Sequence, residues 1–126
     1  MDFAERLAEK SSLTSRQLES LSSYLRVASG EIRLREAASL ASQGRRKGRL
    51  DRPVSIGSYY RTVSQARVNV KRSLVTVVVA LWLGVVKVED VRRFLELVGG
   101  GARELSEEEG DRFLQLTEAL LRRMIA

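Results

Sequence analysis

The chain has 126 residues, about one domain's length, with 44% hydrophobic and 30% charged residues and a net charge of +6. It contains neither cysteine nor histidine, which excludes disulfides, thiol nucleophiles, imidazole bases and the usual zinc and haem ligands. The first residues, MDFAERLAEKSS, carry mixed charge and no apolar export signal, so the expected location is the cytoplasm.

Asp2 to Lys10 reads as a short amphipathic helix with Phe3 and Leu7 on one side. Thr14, with Gln17 three residues on, forms a capping box that opens a second helix. Leu18, Leu21, Leu25 and Ala28 follow at helical spacing, and Gly30 ends it. A third helix carries Leu34, Ala37, Ala38 and Ala41 on one face and stops at Gly44. Its small side chains allow another helix to approach closely. The stretch GRRKGRLDRP, with two glycines, a proline and five cations, is expected to be an exposed loop.

Ser55 then opens a long segment as N-cap. Ile56, Tyr59, Val63, Ala66, Val70, Leu74, Val77 and Leu81 keep one apolar stripe at spacings of 3, 4, 3, 4, 4, 3 and 4. The valine-rich half, TVVVALWLGVV, competes as a strand, but the unbroken stripe favours one helix to Leu83, about 40 Å long, with Ser73 the candidate point for a bend or break. The apolar run from Leu74 to Val86 falls short of the roughly 20 residues a membrane span needs, so no membrane partner is expected. Val88, Val91, Leu95 and Val98 mark the inner face of a fifth helix. Ser106 and Glu109 open a sixth, with Phe113, Leu116, Leu120 and Met124 or Ile125 inward. The predicted fold is all-α: a helical bundle containing a helix-turn-helix, with a long recognition and core helix and a C-terminal helical pair.

The charge is unevenly placed. Residues 1–43 are balanced, residues 87–126 carry a small acidic excess, and residues 44–72 carry nine cations against Asp51 alone. A cationic segment between near-neutral flanks is the footprint of a face that meets a polyanion. Projected onto a helix, the side opposite the stripe presents Ser58, Arg61, Thr62, Gln65, Asn69 and Arg72, with Tyr60, Ser64, Arg67 and Lys71 along its edge. Arg pairs bidentately with guanine, and Gln or Asn with adenine, in the major groove of duplex DNA. Ser58, Arg61, Thr62, Gln65 and Asn69 are therefore the candidate base readers. Arg45, Arg46, Lys47, Arg49, Arg52, Ser55, Tyr60, Ser64, Arg67, Lys71 and Arg72 are the candidate phosphate contacts.

LTSRQLESL (Leu13 to Leu21) looks like the opening of region 4 of bacterial sigma factors and of related response-regulator output domains. LREAASLA (Leu34 to Ala41) resembles their first helix-turn-helix helix, and VSIGSYYRTVSQARVNVKRSL (Val54 to Leu74) is similar to their recognition helix. The resemblance covers residues 13–74 of one domain spanning 1–126. It implies that Ser58, Arg61 and Gln65 face the groove. The family has a tight turn where this chain has the longer QGRRKGRLDRPV, which adds cations suited to phosphate contacts.

Residues 75–126 form the remaining, C-terminal part. Beyond Ser73 the long helix loses its polar face, and a helix apolar all round must be surrounded. Val75, Val78, Val79, Trp82 and Leu83 are the candidate interface of a homodimer. Catalysis is not expected, for three reasons. The glycines at 99–101 precede no Lys-Ser or Lys-Thr pair. Glu107, Glu108, Glu109 and Asp111 suit a helix N-terminus. Only Asp51 lies beside the cations. No cofactor and no metal are expected. The resulting expectation is a dimeric prokaryotic transcription regulator that binds double-stranded DNA, with the transcription machinery as a further candidate partner. The alternatives are a helical adaptor of the transcription or translation machinery and a binder of structured RNA.

Overall fold

The computed structural model describes residues 3–43, 55–99 and 106–126. The fold is all-α. Among the described residues there are six helices and no strand: α1 (Phe3–Lys10), α2 (Ser15–Ala28), α3 (Leu34–Gln43), α4 (Ile56–Leu83), α5 (Val88–Val98) and α6 (Glu107–Met124). The chain divides into two units. One is Ala4–Arg72 and the other is for the most part Ser73–Ala126, so α4 contributes to both.

In the first unit α2 begins as its sequence requires. Thr14 Oγ1 accepts the Gln17 N–H, and Gln17 Oε1 accepts the Thr14 N–H, both at 3.1 Å, so the two residues satisfy two otherwise unpaired backbone donors. At the other end Gly30 takes a φ of +79°, a conformation that costs a residue with a Cβ, and the Glu31 N–H returns to the Arg26 carbonyl at 2.9 Å.

All the buried apolar side chains among the described residues lie in this unit: Ala8, Ala37, Ala38, Tyr59, Val63 and Ala66. Four of these six are alanines, and α2 and α3 lie close together, with the one large ring, that of Tyr59 from α4, buried beside them. Leu21, Tyr24, Val27, Ile32 and Leu34 pack partly buried against Ala37, Ala38, Tyr59 and Val63. The inner face of α2 differs from its leucine line. Leu25 and Ala28 are exposed, whereas Ser20 and Ser23 are buried. The reason is the Tyr59 hydroxyl. It donates to the Ser20 carbonyl at 3.0 Å and shares a 2.6 Å hydrogen bond with Ser23 Oγ. A buried phenol needs such partners, and small hydroxyl residues supply them without holding the helices apart.

α4 runs for 28 residues without a break at Ser73, and the valine-rich half is helix, not strand. Ser55 caps it, with Oγ accepting the Ser58 N–H at 3.0 Å. Its predicted stripe is buried only at Tyr59, Val63 and Ala66, while Ile56, Val70, Leu74 and Val77 are exposed. Thr62, only 8% exposed, is buried in their place. The buried side of α4 is thus turned from the centre of the stripe toward Thr62.

The second unit is built differently. Gly84, with φ +79°, ends α4, and the Val85 N–H reaches back to the Ala80 carbonyl at 3.0 Å. Ser106 caps α6 by accepting the Glu109 N–H at 3.3 Å. The Ala126 N–H donates to the Val85 carbonyl at 2.9 Å, which ties the end of α6 to the turn after α4. The inner faces of both helices are offset from those read in the sequence. In α5, Val88 and Leu95 are exposed, and Val91, Phe94 and Val98 are half-buried. In α6 Leu116 is exposed, as is Ile125 just past its end, and Phe113, Leu114, Leu120 and Met124 are half-buried. No apolar side chain described in Ser73–Ala126 is fully buried.

Candidate nucleic-acid interface

The Tyr59 ring and its hydroxyl fix which side of α4 faces α2, and so which side faces solvent. A second tether lies almost three turns further along. Asn69 Nδ2 donates to Gln17 Oε1 at 2.9 Å and to the Ser12 carbonyl at 3.4 Å. Gln17 Oε1 therefore accepts from both α4 and its own N-cap residue. These contacts hold residues 59–69 of α4 against the start and middle of α2.

Two of the five candidate base readers are thereby reassigned. Thr62 is buried, and its hydroxyl donates to the Ser58 carbonyl at 3.2 Å, so it presents nothing to a groove. Asn69 is half-buried and spends its amide on Gln17 and Ser12, so it positions α4. Projection from the stripe misplaced both, because the stripe's centre is not the centre of the buried side. Ser58 is half-buried, while Arg61 and Gln65 are exposed.

The remaining exposed side chains define the outward side. Tyr60, Ser64, Arg67, Lys71 and Arg72 are exposed, and Ser64 and Lys71 lie near its middle where the projection had put them at an edge. Tyr60 stands edge-on to Tyr24, their ring centroids 6.3 Å apart. Ser55 is exposed and engaged as the helix cap. Arg45, Arg46, Lys47, Arg49 and Arg52 lie outside the described residues. Val68, half exposed among the cations, was not singled out by sequence, although its place in the series 61, 64, 68, 71 marks it as a member of this side. Gln17 was known only as a cap; nothing in the sequence signals that its oxygen also receives Asn69.

What this surface can do follows from its composition. α4 contains no Asp or Glu, and it carries the cations Arg61, Arg67, Lys71 and Arg72. Guanidinium and ammonium groups bind phosphate oxygens, and an exposed Arg–Gln pair one turn apart can address base edges. Among the described residues Tyr59 alone has a clearly shifted ionisation. Burial raises it above the ordinary value of 10.0, against the opposing effect of the Ser23 hydrogen bond. It stays neutral at physiological pH and acts as a structural donor. Among the described residues no group of three or more acidic side chains is placed to hold a metal ion. No described helix is long and apolar enough to cross a membrane.

No family model matches the sequence, and no curated protein or solved structure matches it either.

Proposed function

We propose that the chain is a sequence-specific double-stranded DNA-binding protein, a cytoplasmic prokaryotic transcription regulator that acts as a dimer. The observation that carries this reading is the outward side of α4. It is free of acidic residues, exposes Arg61, Gln65, Arg67, Lys71 and Arg72, and belongs to a helix anchored from behind by Tyr59. The order of α2, α3 and α4, and the resemblance of residues 13–74 to sigma region 4, support a helix-turn-helix with α4 as its reading helix. On this reading Arg61 and Gln65 address base edges, with Ser58 at the border of the contact. Arg67, Lys71, Arg72, Ser64 and Tyr60 meet phosphates. The cations of residues 44–52 add charge to the same task.

The test is a duplex titration at two salt concentrations. If about four phosphates are neutralised, affinity falls roughly 100-fold between 50 and 200 mM salt. Arg61→Ala and Gln65→Ala change which duplexes are selected from a random pool. Lys71→Ala weakens all duplexes alike and lowers the salt slope by about one. An affinity indifferent to salt overturns the proposal. Stronger competition by duplex RNA or by an acidic protein surface transfers the same side of α4 to those ligands.

A further inference from the structure

A second series runs along α4 on the side turned away from Tyr59. Arg61, Ser64, Val68, Lys71, Val75, Val78 and Trp82 are spaced 3, 4, 3, 4, 3 and 4, the repeat of a helix seam that packs against another helix. Its first part is cationic. Its last three members are apolar, with Val79 beside them, and all are exposed: Val78 by 62% and Trp82 by 83%. From Ser73 to Val86 there is no charged residue.

This end of α4 has little to hold it as a helix on its own. Five of the eleven residues from Ser73 to Leu83 are β-branched, namely Val75, Thr76, Val77, Val78 and Val79. Each such residue is less favourable in a helix than alanine. Helices in proteins owe most of their stability to packing, and from Ser73 to Leu83 only Ala80 and Leu81 are as much as half-buried. The exposed parts of Leu74, Val75, Val78, Val79, Trp82 and Leu83 offer on the order of 700 Å² per chain, close to the roughly 800 Å² per partner of a stable protein interface.

We infer that a second copy of this chain covers the face, with the two α4 ends antiparallel about an axis beside Val78 and Val79. This rests on the dimeric reading above and names its surface. Charge decides the direction. A parallel, in-register pair sets Lys71 against Lys71 and brings Arg67 and Arg72 together with their copies. An antiparallel pair centred at Val78–Val79 keeps the two Lys71 residues about 22 Å apart along the axis, beyond a Debye length of about 8–10 Å. Shape agrees. The two-fold places the small Val75 opposite the large Trp82 of the other copy, and Trp82 opposite its Val75. A two-fold interface needs such a self-complementary patch. The cationic halves point away from the axis and stay open to DNA.

Trp82 is the chain's only tryptophan, so its emission reports on this face alone. With the full chain, sedimentation is expected to show a concentration-dependent dimer, and the emission to move to the blue over the same concentration range. Val78→Asp raises the dimer dissociation constant roughly 100-fold or more and keeps the emission red. Because the chain has no cysteine, two single replacements report the direction under mild oxidation. Val78→Cys, beside the axis, forms a disulfide-linked dimer. Val75→Cys does not, since its copies are about 10 Å apart along the axis, too far for a disulfide. Disulfide formation by both variants means a parallel pair and overturns the inference. So does a dimer whose emission does not move, or a monomer at every concentration. Duplex binding measured in parallel separates the two proposals. Salt-sensitive DNA binding by a strictly monomeric chain removes this interface and leaves the DNA-binding reading in place.

Discussion

The two ends of α4 are consecutive stretches of one helix with opposite relations to their surroundings. From Tyr59 to Asn69 one side is fixed by a buried ring, a hydroxyl bonded to α2 and an amide bonded to Gln17. From Leu74 to Leu83 the residues are more apolar, yet none is fully buried. The contrast shows that hydrophobicity along a helix does not locate its core. The core forms where small side chains let helices approach and where buried polar atoms find partners. Ser20, Ser23, Ala37 and Ala38 provide both around Tyr59. The valines further on have no such platform within the described residues of one chain.

The contrast is open to measurement. Tyr59→Ala is expected to have the largest effect, about 4 kcal/mol, because it empties the centre of the Ala4–Arg72 unit and removes the hydroxyl that bonds to Ser20 and Ser23. Urea unfolding followed by circular dichroism measures it, and a loss under about 1 kcal/mol would mean the ring is not the centre described here. A matched pair sharpens the comparison. Val63→Ala is expected to cost roughly 2 kcal/mol, whereas Leu97→Ala, at a position 61% exposed in α5, should stay within about 0.5 kcal/mol. Equal losses at the two positions would erase the difference between the units.

The most selective effect comes from a single atom. Tyr59→Phe keeps the ring and removes the hydroxyl, for an expected loss of about 1–2 kcal/mol at neutral pH. The same variant tests the ionisation. Burial raises the folded-state pKa of Tyr59 above 10.0. The stability tied to this difference is therefore intact below pH 10 and falls as pH rises from there toward the folded-state value. Between pH 8 and pH 11 the parent should lose more of its urea midpoint than Tyr59→Phe does. A parallel decline in both would assign the alkaline loss to other groups.

Much of the fold was legible in the sequence. The Thr14–Gln17 box, the Gly30 stop, the Ser55 cap and the Ser106 cap are local chemistry, and each appears where its residues predict. The unbroken spacing from Ile56 to Leu81 likewise identified α4 as one helix despite its valines. What was not legible is the rotation of each helix. An apolar stripe gives an average direction, but the contact between α2 and α4 is decided by Tyr59 seeking hydroxyl and carbonyl partners on Ser23 and Ser20. That preference turned Thr62 inward and drew Asn69 to Gln17, so two residues read as groove-facing hold the helix from behind. The outward series ending at Trp82 was present in the sequence as a 3–4 repeat. It was obscured because the first stripe has the same repeat and includes more of the apolar residues.

Gln17 Oε1, which accepts from both the Thr14 and Asn69 nitrogens, makes the entry of α2 and the seating of α4 a single cooperative event. One rotation of that side-chain amide releases a helix terminus and an interhelical tether together. The first turn of α2 and the middle of α4 should thus open to hydrogen exchange as one unit, even though more than fifty residues of chain separate them.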